Sequence, residues 1–426
     1  MIELNTVKVF TTPSDNHFFF GYFNTPQISI DDRYLIALKC DRIDRVPSPS
    51  KGDYAEIGFF DIKDKDKTFN KISNTKTFNW QQGCLAQFIG PNYDQDIIFN
   101  DFKDNKYVST IFNIKKKLFS HLPYPIYAVF PCGNKALTID FARHYWCRRG
   151  YSYGNIVDTT KNKRVVEGDG IWLCDLKSKT KKIIISLEEL INYKPISNMK
   201  NATHYLEHMT ISPNGKKFVF LHRWKLEEGG IHSRFFLYDM NSKNYKILND
   251  SGRMSHFCWK SDFEIIGYGG IENKVNSLRK NKTIVKRLFR PLLPIYKFFI
   301  KDSSKLSKKL TGDSYININL KKNSISKIAP DLITDDGHPS MSYKSKFFIT
   351  DTYARSEIKQ KPQLIAHNLE TNQSFKLDEL NSIPKFDETP LRCDLHPRVS
   401  LSKNLISIDT MDSGVRGVYV YKAPKL

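Results

Sequence analysis

Gly337-His338-Pro339-Ser340-Met341-Ser342 and Leu395-His396-Pro397-Arg398-Val399-Ser400 share one frame. In each, a His stands four residues before a Ser that opens a turn, and an apolar strand follows, Phe347–Thr350 and Leu405–Ile408. The frame recurs at His208-Met209-Thr210-Ile211-Ser212, His256-Phe257-Cys258-Trp259-Lys260 and Thr25-Pro26-Gln27-Ile28-Ser29, with weaker copies from Leu85 and Tyr127. That makes seven copies, and the last four lead with His. Supersecondary units repeating at this period, built from strands and turns, signal a propeller.

Each copy continues into a second strand, a loop and a third strand. The third strands fall at Ala55–Ile62, Val108–Ile114, Gly170–Leu176, Arg234–Met240, Ser314–Leu320, Gln363–Leu369 and Gly417–Lys422. Fourth strands are visible at Lys181–Leu187 and Tyr245–Leu248, and more weakly at Ser374–Leu377, but after the seventh third strand only Ala423–Leu426 remain. The alternating stretch Ile2–Phe10 is therefore expected to supply that strand and remove an open edge. The fold class is all-β: a single seven-bladed β-propeller of four-stranded blades over residues 1–426, its ring closed by the N-terminal strand.

The bulk numbers agree. Aromatics make up 13% of the 426 residues, as suits strands. Seven scattered Cys without a C-x-x-C pair argue against a disulfide framework and for a reducing compartment. No basic region followed by an apolar one opens the chain, and no long uncharged apolar run spans a membrane. A cytoplasmic protein, peripheral on the inner membrane, is expected. The formal net charge of +21 calls for a polyanionic partner. Much of it sits in residues 274–309, twelve Lys or Arg against one acid, Asp302, a net +11. This reads as a basic amphipathic insertion in blade five that lies on anionic lipid. No nucleic-acid-binding motif appears.

The first strand of a propeller blade lines the central channel, and the second runs back to the same mouth. Thr25, Leu85, Tyr127, His208, His256, His338 and His396 should therefore ring one mouth, beside Arg143, His144, His222, Arg223, Arg355 and Arg416. Neutral imidazoles in an arc suit a divalent metal, and arginines around them suit carboxylates. Tyr151 and Tyr153 lie on a polar yet aromatic loop read as a binding loop.

Taken together, His17-Phe18-Phe19-Phe20-Gly21-Tyr22, Trp80-Gln81-Gln82-Gly83, Asp140-Phe141-Ala142-Arg143, Gly170-Ile171-Trp172-Leu173, Phe220-Leu221-His222-Arg223-Trp224, Ser255-His256-Phe257, Gly337-His338-Pro339-Ser340 and Asp394-Leu395-His396-Pro397-Arg398 resemble a bacterial family of seven-bladed propellers. Its relatives are oligogalacturonate lyases and propeller-type ulvan lyases. The resemblance implies β-elimination on an acidic, uronate-containing polysaccharide or oligosaccharide, here a bacterial surface glycan. It implies catalytic roles for His208, His222, Tyr151 and Arg223. Substrate contacts would come from Arg143, His144, Tyr153, Arg355, Arg398 and Arg416. A divalent metal (manganese, zinc or calcium) would be held by His256, His338, His396 and Gln81 or Gln82, with Gln82 preferred. The alternative is a non-catalytic propeller that binds glycan, or a glycosyltransferase, at the inner membrane during surface-polysaccharide synthesis.

Overall fold

The computed structural model describes residues 1–48, 52–227, 229–271, 312–342 and 345–425. Seven four-stranded sheets form a ring, each a blade of an all-β propeller. In most blades the strands pair in chain order from the axis outward. Blade four is the most regular, with Thr203–Ile211, Lys217–Lys225, Ile231–Asp239 and Asn244–Gly252. All seven expected third strands are present.

The middle strands are apolar on both faces because each blade is sandwiched between two others. Leu35, Ile36, Ala37 and Leu38 are all fully buried. Apolar clusters fill the gaps between blades, such as Phe10, Phe18, Phe60, Val418 and Val420 between blades seven and one. Outer strands meet solvent, and Leu118, Phe119 and Ile183 remain exposed. Among the described residues, no helix is long and apolar enough to cross a membrane.

Two expectations need adjustment. Lys8–Thr11 does close blade seven, antiparallel to Gly417–Lys422, with Lys8 opposite Tyr421. Ile2–Glu3, however, joins blade six, parallel to Gln373–Glu379. Backbone bonding of Leu4 to Lys376 (3.0 Å) and the Thr6 hydroxyl to the Leu377 carbonyl (3.1 Å) hold it there. The N-terminal segment thus serves two blades. In blade one the inner strand begins at His17–Phe19, not at Thr25, and returns to the sheet at the Ile28–Leu35 bridge. The excursion between, 20–27, crosses the channel mouth.

The inner strands of blades six and seven are short. Among the described residues, blade six has only the bridge Ser340–Ile349, and blade seven has Arg398–Val399. Pro339 and Pro397 precede them, and proline cannot donate to a ladder. The basic segment 274–309 falls between the second and third strands of blade five and lies outside the described residues.

Candidate active site

The four leading histidines form a continuous arc. Ring centroids of His208 and His256 are 5.6 Å apart, those of His256 and His338 4.2 Å, and those of His338 and His396 4.2 Å. All four side chains are buried. Equivalent strand positions around one axis bring them together, as the repeat required. Leu85, His208 and His396 also share left-handed backbone, with φ of 53°, 51° and 43°. Such strain costs roughly 1–3 kcal/mol per residue and persists only where surrounding structure imposes it.

The excursion of blade one closes the arc. Phe23 packs against His256, His338 and His396 at 5.5, 5.2 and 6.2 Å. Tyr22 stacks on His208, and its hydroxyl hydrogen-bonds Nδ1 at 2.8 Å. The His208 amide donates to the Tyr127 hydroxyl at 3.0 Å. Gln82 reaches that same hydroxyl at 3.4 Å, at the His208 end of the arc.

At the opposite end, Asp351 grips two histidines. Its carboxylate accepts from the backbone amides of His338 and His396 at 2.7 and 3.1 Å, and from Nδ1 of His338 at 3.0 Å. Burial disfavours the imidazolium of His338, but the Asp351 carboxylate prevails and raises its pKa above the usual value. His396 lacks such support, so burial and the neighbouring His338 hold it well below the normal range. His338, Asp394 and His396 place one donor atom each within 4.8 Å of one another, a group able to hold a metal ion. Asp351 occupies Nδ1 of His338 and leaves Nε2 for a ligand, the arrangement in which outer carboxylates orient ligating imidazoles. His256 and Gln82 are not in this group; His256 sits beside it and bonds Ser255 and Asp336 through Nδ1.

A second charged centre adjoins His208. Glu207 is fully buried and pairs with Arg148 and Arg223, while His144 donates to it at 3.2 Å. Burial alone would raise this carboxyl, but the two guanidiniums hold it well below the usual carboxylate range. Burial likewise keeps His208 well below 6.5, against the pull of Glu207, so its imidazole is neutral near pH 7. Tyr151 joins the two centres. Its hydroxyl accepts from Arg392 at 2.9 Å, and the Arg148 guanidinium lies 4.0 Å from its ring. Arg392 in turn donates to Asp394 at 2.9 Å.

The structure thus gathers His208, His256, His338, His396, Arg223, His144 and Tyr151. It places the other expected residues elsewhere. His222 faces the interior of blade four, bonding His204 at 3.0 Å beside Trp224, because it alternates with Arg223 along one strand. Arg143 binds the carbonyls of Thr160, Lys163, Arg164 and His204, pinning the following loop. Tyr153 is core, stacked on Phe141 and bonded to Asn100. Arg416 lies over Trp80 and anchors the carbonyls of Leu391 and Arg392. Arg355 pairs with Asp335 at 3.5 Å near the rim. Arg398 points below the arc, bound to Asp409 at 2.9 Å.

Residue-type reasoning missed Glu207, Arg148, Asp394, Asp351 as a clamp, and the Tyr22–Phe23 pair. Two signals were present: an acid inside the apolar run Tyr205-Leu206-Glu207-His208, and Asp394 two residues before His396.

No protein-family model matches the chain, and no curated protein matches it either. Solved structures do. An oligogalacturonate lyase in complex with manganese aligns over 100% of this chain and 99% of its own, at TM-score 0.62 and 12% identity. Oligogalacturonate lyase from Vibrio parahaemolyticus aligns over 100% and 98%, at TM-score 0.60 and 11% identity. The chain has the oligogalacturonate lyase fold. At these identities the likeness concerns architecture along the full length of both chains.

Proposed function

We propose that the protein is a metal-dependent lyase of uronate-containing acidic glycans, with the histidine arc as its active site. One observation carries this reading: His338, Asp394 and His396 stand within reach of one ion, next to a neutral His208 and the Glu207–arginine centre. Two imidazoles and a carboxylate are a fitting donor set for a divalent transition metal. Such an ion, when bound, supplies Lewis-acid stabilisation of an enolate-like charge.

The chain's own residues would do the rest. His208 takes the α-proton: its Nδ1 is held by Tyr22, and its buried Nε2 has no hydrogen-bond partner among the described residues. Glu207, kept ionised by Arg148 and Arg223, favours the imidazolium that results. Tyr151, on Arg392, returns a proton to the leaving glycosidic oxygen. Arg392 and Arg355 at the rim face the substrate's carboxylates. In the same reading, the basic segment 274–309 holds the protein on anionic lipid at the inner membrane, near the cell's own surface glycan.

The test is ultraviolet absorbance of unsaturated uronates, with purified protein, added manganese and a panel of acidic glycans. Absorbance growth that stops on chelation is expected. Measurable glycan binding without any absorbance change would instead favour the non-catalytic propeller.

A further inference from the structure

Below the arc, the central channel holds a cavity. Tyr22, Phe23 and Tyr127 form its roof, and the other side of Tyr22 and Phe23 faces the histidines. The cavity measures about 570 Å³ and extends toward the opposite mouth, past Trp259, Met341 and Ser400. It is therefore separate from the candidate active site, divided from it by one aromatic layer.

Its wall between blades one and seven carries two buried donors with no hydrogen-bond partner among the described residues. They are Nη1 of Arg398 and Oγ1 of Thr25. Arg398 is 3% exposed and lines the cavity. Its other nitrogens are occupied: Nε donates to Ser407 at 3.2 Å and Nη2 to Asp409 at 2.9 Å. Asp409 is shared, since it also accepts from the amides of Phe20 and Gly21 at 3.2 and 2.7 Å. One carboxylate spread over that many donors leaves the guanidinium under-compensated. A buried N–H without an acceptor is costly, and an anionic acceptor on the cavity side removes the cost. Trp259, Met209 and Met341 supply apolar surface around it.

We infer that this cavity is a binding site for a small carboxylate-bearing molecule with an apolar body, its carboxylate seated on Arg398 and Thr25. Neither the metal-holding group nor any catalytic step takes part, so the site stands or falls independently of the proposed activity. A site this size holds a compound of a dozen or more heavy atoms, well within the range of ordinary ligand pockets.

The experiment uses the full chain with benzoate and, for comparison, benzyl alcohol and galacturonate, followed by saturation-transfer NMR and Trp fluorescence. Benzoate is expected to bind saturably and benzyl alcohol at least about tenfold more weakly, the loss of one charge-assisted contact. Thr25→Val should weaken benzoate about fivefold while the protein melts as before. Val129→Trp, which fills the cavity without touching the Arg398–Asp409 pair, should abolish binding. His396→Ala should leave it unchanged. Benzoate binding that survives Val129→Trp but disappears with His396→Ala would place the carboxylate at the histidine arc and overturn the inference. So would the absence of benzoate binding, or equal affinity for benzyl alcohol. Galacturonate is expected not to compete with benzoate; competition at similar concentrations would show that the site does not select an apolar body and would overturn that part of the inference.

Discussion

Blade four carries two histidine clusters on the same pair of strands, and they behave in opposite ways. His208 and its neighbour Glu207 meet at the axis with Arg148, Arg223 and His144. His204 and His222 turn into the blade, where they stack on each other and on Trp224. His204 completes its bonding with the Met199 carbonyl at 3.1 Å. Toward the axis, rings find carboxylates and other rings from neighbouring blades. Within the blade, their ring nitrogens bond each other and a backbone carbonyl, and no carboxylate bonds them among the described residues. His204 and His208 are four apart and would share one side of a regular strand; the register shift between Glu207 and Thr210, with His208 in left-handed backbone, is what sends them to different surroundings.

The sharpest break of this comparison is Glu207→Ala. It strands the buried guanidinium of Arg223 and the part-buried one of Arg148, and a loss of about 3 kcal/mol is expected in urea denaturation. A loss below 1 kcal/mol would mean that the arginines find other partners and that the axial centre is not organised by charge.

The pH response separates His204 from His338, which lies toward the other end of the arc. Burial depresses His204 to about 4 from its ordinary 6.5. A depressed histidine contributes stability that is complete above pH 6.5 and lost as pH falls through 4, roughly 3 kcal/mol in all. His338 has the opposite sign: its raised pKa gives stability present below pH 6.5 and lost as pH climbs through the folded value. Urea midpoints of wild type against His204→Phe, from pH 7 to pH 4, should therefore converge. Parallel curves would refute the assignment.

A smaller effect on stability, but a decisive one on binding, is expected at the metal-holding group. His396→Ala should lose manganese in calorimetric titration with little change in melting temperature. Asp351→Asn should weaken manganese about ten- to a hundredfold by releasing His338. Wild-type affinity in both variants would remove the metal from the site. The mildest expectation concerns Arg355→Ala. Its pair with Asp335 is part-exposed, so stability should move by less than about 1 kcal/mol, and a larger change would show that the rim loop is structural.

The ring, the third strands and the arc of four histidines were legible in the sequence, because a repeated frame places equivalent residues at equivalent depths. Strand parity was the weak point. His222 and Arg223 were expected at the mouth together, yet along their strand only Arg223 reaches Glu207; Arg143 and His144 were expected there too, but they sit on the short helix Phe141–Cys147, from which only His144 reaches it. Thr25 fitted the frame at blade one, but the chain leaves the sheet before it, and Tyr22 and Phe23 take the place facing the arc. Asp394 and Glu207 carried little signal because an acid in or beside a strand more often marks a turn than a buried partner.

The double use of the N-terminal segment has a temporal side. Lys8–Thr11 is synthesised long before its partner Gly417–Lys422. Until that partner emerges, residues 8–11 have no place in a sheet, and Ile2–Glu3 must wait for Gln373–Glu379. Five blades can assemble by local pairing alone, but blades six and seven each take a strand from a segment distant in the chain, and such contacts form slowly. Closure then comes late and completes blades six and seven, and a chain stalled before it presents two unfinished sheets to its neighbours.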